Sequence, residues 1–214
     1  MTEYINQSMP NREPYSNRLL FKRASLQDIS VIAELINALP ISGRYSILPF
    51  GGQLAYIKHI IESSLGIVVI GIDPLFGKGV GYVIAITESK RFWYTFIIKY
   101  PFYTGLLFLK KFLDKIKLKA RNKAASSFRW SQACEKSARI IFIGVLPEYR
   151  GLGIGQRIYQ LLFEILKEEG RYLVEAHIDK DNEPSIRLHK KVGFEIEQLN
   201  SGDYRAYKTL KVMK

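Results

Sequence analysis

The chain has 214 residues, 47% of them hydrophobic, and a formal charge of +12 at pH 7. That composition suits one α/β domain with room for an insertion or a tail, and it excludes an intrinsically disordered chain. The one cysteine, Cys134, rules out an intrachain disulfide, fits a reducing compartment and reads as an ordinary thiol.

Residues 1–17 contain no apolar stretch and no basic start, so they are expected to be a flexible tail rather than a secretory signal, and the protein is expected in the cytoplasm. The domain is expected to span 18–214. Leu19–Arg23 reads as a short strand, and Ser25 is a good N-cap for the helix that follows. In that helix Ile29, Ile32, Ala33, Leu35, Ile36 and Leu39 recur at helical spacing, and Pro40 ends it. A glycine- and proline-containing loop runs to Gly52, and a second helix is expected from about Gln53 to Ser64.

Gly66–Ile72 and Val80–Thr87 are apolar runs separated by the turn-rich DPLFGKG, a hairpin inside a sheet. Residues 88–138 are expected as an insertion between the third and fourth strands. Within it, Phe92–Leu109 is mostly apolar but interrupted by Lys99, Pro101 and Gly105, so a membrane-spanning helix is rejected. From Leu106 to Ile116 the apolar residues recur at helical spacing among lysines, the pattern of a basic amphipathic helix. Between Lys90 and Lys123 stand ten basic residues against one acid, a net +9, which leaves only +3 for the rest of the chain. This segment reads as a separable module: a lid over an acceptor site, a homodimer contact, or a surface for an anionic membrane. No nucleic-acid motif accompanies the charge, so no nucleic-acid partner is expected.

Arg139–Leu146 is the next strand, Gly155–Glu169 a helix, Tyr172–Ile178 a strand and Pro184–Val192 a helix. Two last strands lie near Glu195–Leu199 and Ala206–Leu210. The expected fold is therefore α/β (α+β), a mixed sheet of about six to seven strands flanked by helices.

The informative stretch is Ile140–Gln156, IIFIGVLPEYRGLGIGQ. A strand runs into a glycine-rich turn that opens a helix, which lets bare backbone approach a ligand and presents unpaired N–H groups at the positive end of a helix dipole. An anion such as a pyrophosphate fits there, with Arg150 beside it. The glycines alternate at Gly151, Gly153 and Gly155, which is not the G-x-G-x-x-G spacing of a dinucleotide fold. Read alone, they could merely make a tight turn.

Arg150-x-x-Gly153-x-Gly155 resembles the Q/R-x-x-G-x-G/A signature of the GNAT acetyltransferases. Asn182-Glu-Pro-Ser185-Ile-Arg-Leu188-His189-Lys-Lys-Val-Gly193-Phe194 is similar to that family's N-x-x-A-x-x-L-Y-x-x-x-G-F. The clear resemblance covers about Arg139–Gln198. It implies a GNAT fold and an acetyl-CoA-dependent N-acetyltransferase acting by direct amine attack, without a metal. Ile143, Gly144 and Val145 would pair with pantetheine, a backbone N–H near Val145 polarising the acetyl carbonyl. Gly151, Leu152, Gly153, Ile154, Gly155 and Gln156 would hold the pyrophosphate. Asn182 would bind the cofactor or cap the following helix.

The family's tyrosine, which protonates the departing thiolate, is replaced by His189, a group that either takes that role or only packs. Glu175 and His177 share one strand face and are both candidates for the base. The acceptor is expected to be a small-molecule primary amine. The basic segment favours an anionic one, such as an amino-sugar nucleotide. A protein N-acetyltransferase and a non-catalytic acyl-CoA-binding module of the same fold remain the alternatives.

Overall fold

The computed structural model describes residues 18–39, 50–106, 108–109 and 136–211. Seven strands form one sheet in the order β1-β2-β3-β4-β5-β7-β6. They are β1 (Leu20–Arg23), β2 (Gly66–Asp73), β3 (Lys78–Ile86), β4 (Ser137–Val145), β5 (Leu173–Ile178), β6 (Glu195–Gln198) and β7 (Tyr204–Thr209). All neighbours run antiparallel except β4 and β5, which are parallel. The helices are α1 (Ile29–Ala38), α2 (Phe50–Ser63), α3 (Ser89–Lys99), α4 (Ile154–Glu168) and α5 (Glu183–Lys191).

Helices cover both faces of the sheet, because β2 and β3 are apolar along nearly their whole length. On one face Ile154, Ile158, Tyr159, Leu162 and Leu166 of α4 pack against Val69, Val83, Ile140, Val174 and Ala176. On the other, α1, α2 and α3 bury Ile32, Ile57, Ile60 and Phe92 against Val68, Ile70, Tyr82 and Ile84. The expected sheet and its flanking helices are thus all present.

Two boundaries differ from the sequence reading. The second helix begins at Phe50, not Gln53, and takes in Gly51 and Gly52. Tertiary packing overrides the helix-breaking tendency: a Cβ on Gly51 would sit 3.0 Å from the Tyr103 hydroxyl, so the glycine admits the short helix 101–106 against α2. The fourth strand begins at Ser137, where its parallel pairing with β5 starts.

The insertion is not separable at its start. α3 sits on α2, with Phe92 and Phe96 fully buried and their rings 5.1 and 5.6 Å from that of Tyr56. Removing Lys90–Lys123 would therefore strip part of the core, which corrects the modular reading for residues 89–99. The expected amphipathic helix is described only to Leu109, and its continuation through residues 110–135 lies outside the described residues, as do the expected tail 1–17 and most of the loop after Pro40.

Candidate active site

The site begins as a fork in the sheet. β4 and β5 pair only from Ser137↔Leu173 to Ile140↔Ala176. Beyond that point β4 stays with β3 as far as Gly81↔Val145, and β5 stays with β7 as far as Ile178↔Tyr204. The backbone edges of 141–145 and 177–178 therefore diverge, leaving a wedge in which an extended chain bearing amides can make the missing ladder bonds. Ile143, Gly144 and Val145 line this edge and are half-buried.

The wedge closes on the glycine turn. A 3-10 turn at Pro147–Tyr149 follows β4, then Gly151 and Gly153 adopt φ of +81° and +78°. A Cβ on Gly151 would meet nothing within 4 Å, so glycine is required there by the backbone angle and not by crowding. Gly153 is the N-cap of α4, and its carbonyl accepts from the N–H groups of Gln156 (3.0 Å) and Arg157 (3.2 Å). The N–H groups of Gly153, Ile154 and Gly155 precede any intrahelical acceptor and point out of the helix end, where the dipole favours an anion. Gly155 also serves the packing, since a Cβ there would press to 3.1 Å of Leu188; glycine lets α4 approach α5.

Arg150 Nε donates to the Val145 carbonyl at 3.0 Å, tying the turn back to the end of β4, while the residue stays exposed. Leu152, expected within the anion cradle, is exposed on the same turn. Asn182 caps α5, its side-chain oxygen accepting from the Ser185 N–H at 3.2 Å. This is the capping role anticipated for it.

His189 sits inside the protein. It is 2% exposed, between α4 and α5. Its Nδ1 donates to the Ser185 carbonyl at 2.7 Å, which fixes the tautomer, and its Nε2 accepts from the Tyr159 hydroxyl at 2.8 Å. Burial pushes the imidazole below its ordinary value and the Tyr159 phenol above its own, so the histidine is neutral and the phenol keeps its proton. Both nitrogens are thus engaged in joining the two helices, which is the packing alternative left open for this residue. Tyr159, which sequence reasoning placed on a helix without a role, is the partner it missed.

These contacts set a pH dependence. His59, buried on α2 with Nε2 2.9 Å from Thr95 Oγ1, is also held below its ordinary value, by burial first and by Lys99 second. A histidine whose folded value is depressed contributes stability above its unfolded value, near 6.5, and loses it as pH falls. Urea midpoints should therefore drop between pH 7 and 5, each histidine costing up to about 1.4 kcal/mol per pH unit below its unfolded value. His189→Phe should lower stability by about 1–3 kcal/mol at pH 7, through the Tyr159 hydroxyl left unpaired, and flatten its share of that slope. A variant with wild-type stability and slope would refute the packing role.

Glu175 and His177 share one face of β5, as alternation requires, but differ in surroundings. Glu175 is buried and ion-paired with Arg205 of β7. His177 is exposed, with Nε2 3.4 Å from Asp203 Oδ2 and Nδ1 3.9 Å from Asp179 Oδ1. Both lie opposite α4, because Val174, Ala176 and Ile178 fill the α4 side. Arg205 and Asp203 went unnoticed in the sequence because only the β5–β7 register, His177↔Arg205, brings them to this site.

The profile described as the Acetyltransferase (GNAT) family matches residues 116–194. An uncharacterised N-acetyltransferase of Methanocaldococcus jannaschii is 33% identical over 88 residues, 40% of this chain and 39% of that protein. A mycothiol acetyltransferase of Paenarthrobacter aurescens is 34% identical over 55 residues, 26% of this chain and 17% of its own length. This chain thus matches well under half the length of these relatives. A GNAT superfamily phosphinothricin acetyltransferase from Sinorhizobium meliloti, solved with acetyl-CoA, superposes with a TM-score of 0.58 at 19% identity, over 90% of this chain and 89% of that one. The forked sheet and the glycine turn give the chain the GNAT fold, and its match to the Acetyltransferase (GNAT) family covers residues 116–194.

Proposed function

We propose that this protein moves an acetyl group from acetyl-CoA to a primary amine by direct attack. The observation that carries the reading is the wedge between β4 and β5, closed by two left-handed glycines at the start of α4. Pantetheine amides pair with the free edge at Ile143–Val145. The pyrophosphate sits on the first turn of α4, over Gly151–Gln156. The acetyl carbonyl lies at the apex of the fork, where a backbone N–H near Val145 stabilises the developing oxyanion. The acceptor enters from the face opposite α4, where Glu175 and His177 stand.

The acceptor is a small molecule on this reading, in keeping with the names of the mycothiol and phosphinothricin relatives. The charge of +9 across Lys90–Lys123 favours an anionic amine over a polyamine. Purified protein with acetyl-CoA and a panel of amines, including amino-sugar nucleotides, amino acid analogues and peptides with free N-termini, tests this through thiol release and the mass of the product. Release that depends on one amine supports transfer, and the amine's class decides between small-molecule and protein acceptors. Tight CoA binding with no release for any amine would favour a non-catalytic acyl-CoA-binding module.

The described residues of 94–106 and 108–109 carry a partner surface. Tyr94, Ile98, Phe102, Phe108 and Leu109 are all exposed, Phe102 to 72%. So large a solvent-facing apolar run marks a contact. No helix of the described residues is long and apolar enough to cross a membrane. Since the surrounding sequence is strongly basic, a second copy would be repelled and an anionic bilayer attracted. We place the protein in the cytoplasm, resting on such a surface through this stretch. Co-sedimentation with phosphatidylglycerol vesicles but not phosphatidylcholine vesicles, weakened by salt and by Phe102→Ser with Phe108→Ser, is the expected result. A dimer in light scattering without vesicle binding would overturn it.

A further inference from the structure

We propose that Asp203 positions His177, and that this pair, not Glu175, is the base that takes the acceptor's proton. The inference rests on the acetyl-transfer reading above and assigns a step within it.

Place comes first. His177 is the first β5 residue beyond the last β4·β5 pair, Ile140↔Ala176, so it stands at the apex of the fork. It faces away from α4, the side from which the reading above brings the amine. Asp203 immediately precedes β7, beside the Ile178↔Tyr204 pair. Its carboxylate is fixed before it meets the imidazole: Oδ1 accepts the Lys180 N–H at 3.2 Å, and Oδ2 accepts the Ser201 hydroxyl at 3.3 Å. Oδ2 then lies 3.4 Å from His177 Nε2. A base oriented by a third, anchored group is the recurring logic of activated proton acceptors.

On this proposal Nε2–H faces the Asp203 carboxylate and Nδ1 is the nitrogen that meets the amine. Asp179 stands 3.9 Å from Nδ1, too far for a direct hydrogen bond, and its side chain is 69% exposed. As the amine nitrogen bonds to the acetyl carbon, its proton passes to Nδ1. The C–S bond then breaks, CoA leaves as thiolate, and the imidazolium returns the proton to the sulfur or to water. While charged, the ring has a carboxylate near each nitrogen.

Glu175 is a poor alternative. It is 2% exposed and ion-paired with Arg205, so protonating it would break a buried ion pair. A cation site at His177, Asp179 and Asp203 is suggested by their proximity, but the two carboxylates meet opposite nitrogens, and one imidazole can give a metal only one of them.

Two measurements test the pair. Long-range ¹H–¹⁵N correlation of the wild-type protein alone should show His177 as the Nε2–H tautomer, mixed in Asp203→Ala and restored in Asp203→Glu. An Nδ1–H tautomer in the wild type overturns the proposal without any variant having to fold. Kinetics with whichever amine the panel identifies should show kcat falling about 100-fold in His177→Gln and about 10-fold in Asp203→Asn, with acetyl-CoA affinity by calorimetry unchanged within about two-fold. Partial recovery of kcat in Asp203→Glu is expected. Wild-type kcat in both His177→Gln and Asp203→Asn, or loss only in Glu175→Gln, would sink the pairing while leaving acetyl transfer intact. A wild type that transfers to no amine would instead fault the transfer reading itself.

Discussion

Gly153→Val should bind CoA at least ten-fold more weakly than the wild type in calorimetry, and by about 150-fold or more if two charge-assisted hydrogen bonds are lost. Gly153 holds φ at +78° as the N-cap of α4, and an L-residue in that region costs about 1–2 kcal/mol, more for a branched side chain. Valine relieves that strain by rotating the peptide, which turns the N–H groups of the first helical turn away from the anion. Stability should fall by the same small amount, so folded protein remains to be titrated. Unchanged CoA affinity would mean that the pyrophosphate sits elsewhere.

The largest stability effect is expected at Arg205. Arg205→Met removes the guanidinium that compensates the buried Glu175 carboxylate, and breaking such a pair costs about 3 kcal/mol or somewhat more. For a chain of this size that is a melting-point drop of roughly 6–12 °C. Adding Glu175→Gln to the same chain should recover most of the loss, because the buried charge that Arg205 pairs with is gone. If the single variant is as stable as the wild type, the ion pair contributes nothing. If the double variant is no better than the single one, Arg205 stabilises through packing rather than charge. Either result would remove the argument against Glu175 as a base.

The fold was legible where the sequence is locally consistent. Periodicity marked α1, α4 and the apolar hairpin, and the glycine turn was identifiable because only glycine takes two left-handed angles two residues apart. What escaped is what register and packing decide. Gly51 and Gly52 look like loop residues until helix 101–106 is placed beside α2. Phe92 and Phe96 look like part of an excursion until Tyr56 is found beneath them. His189 occupies the motif position of an acid, but its burial depends on Tyr159, 30 positions earlier on another helix. Asp203 and Arg205 have no local signature; their meaning comes from the antiparallel pairing of β5 with β7, which no period in the sequence encodes.

The central claim is that acetyl-CoA lies in the β4–β5 fork with its pyrophosphate on α4. Its most direct test is a titration of ¹⁵N-labelled protein with acetyl-CoA, followed by amide NMR. The account predicts saturable shifts confined chiefly to 143–145, 151–156 and the end of β5 at 177–178. Saturable binding that leaves those amides unmoved and perturbs another surface would contradict it.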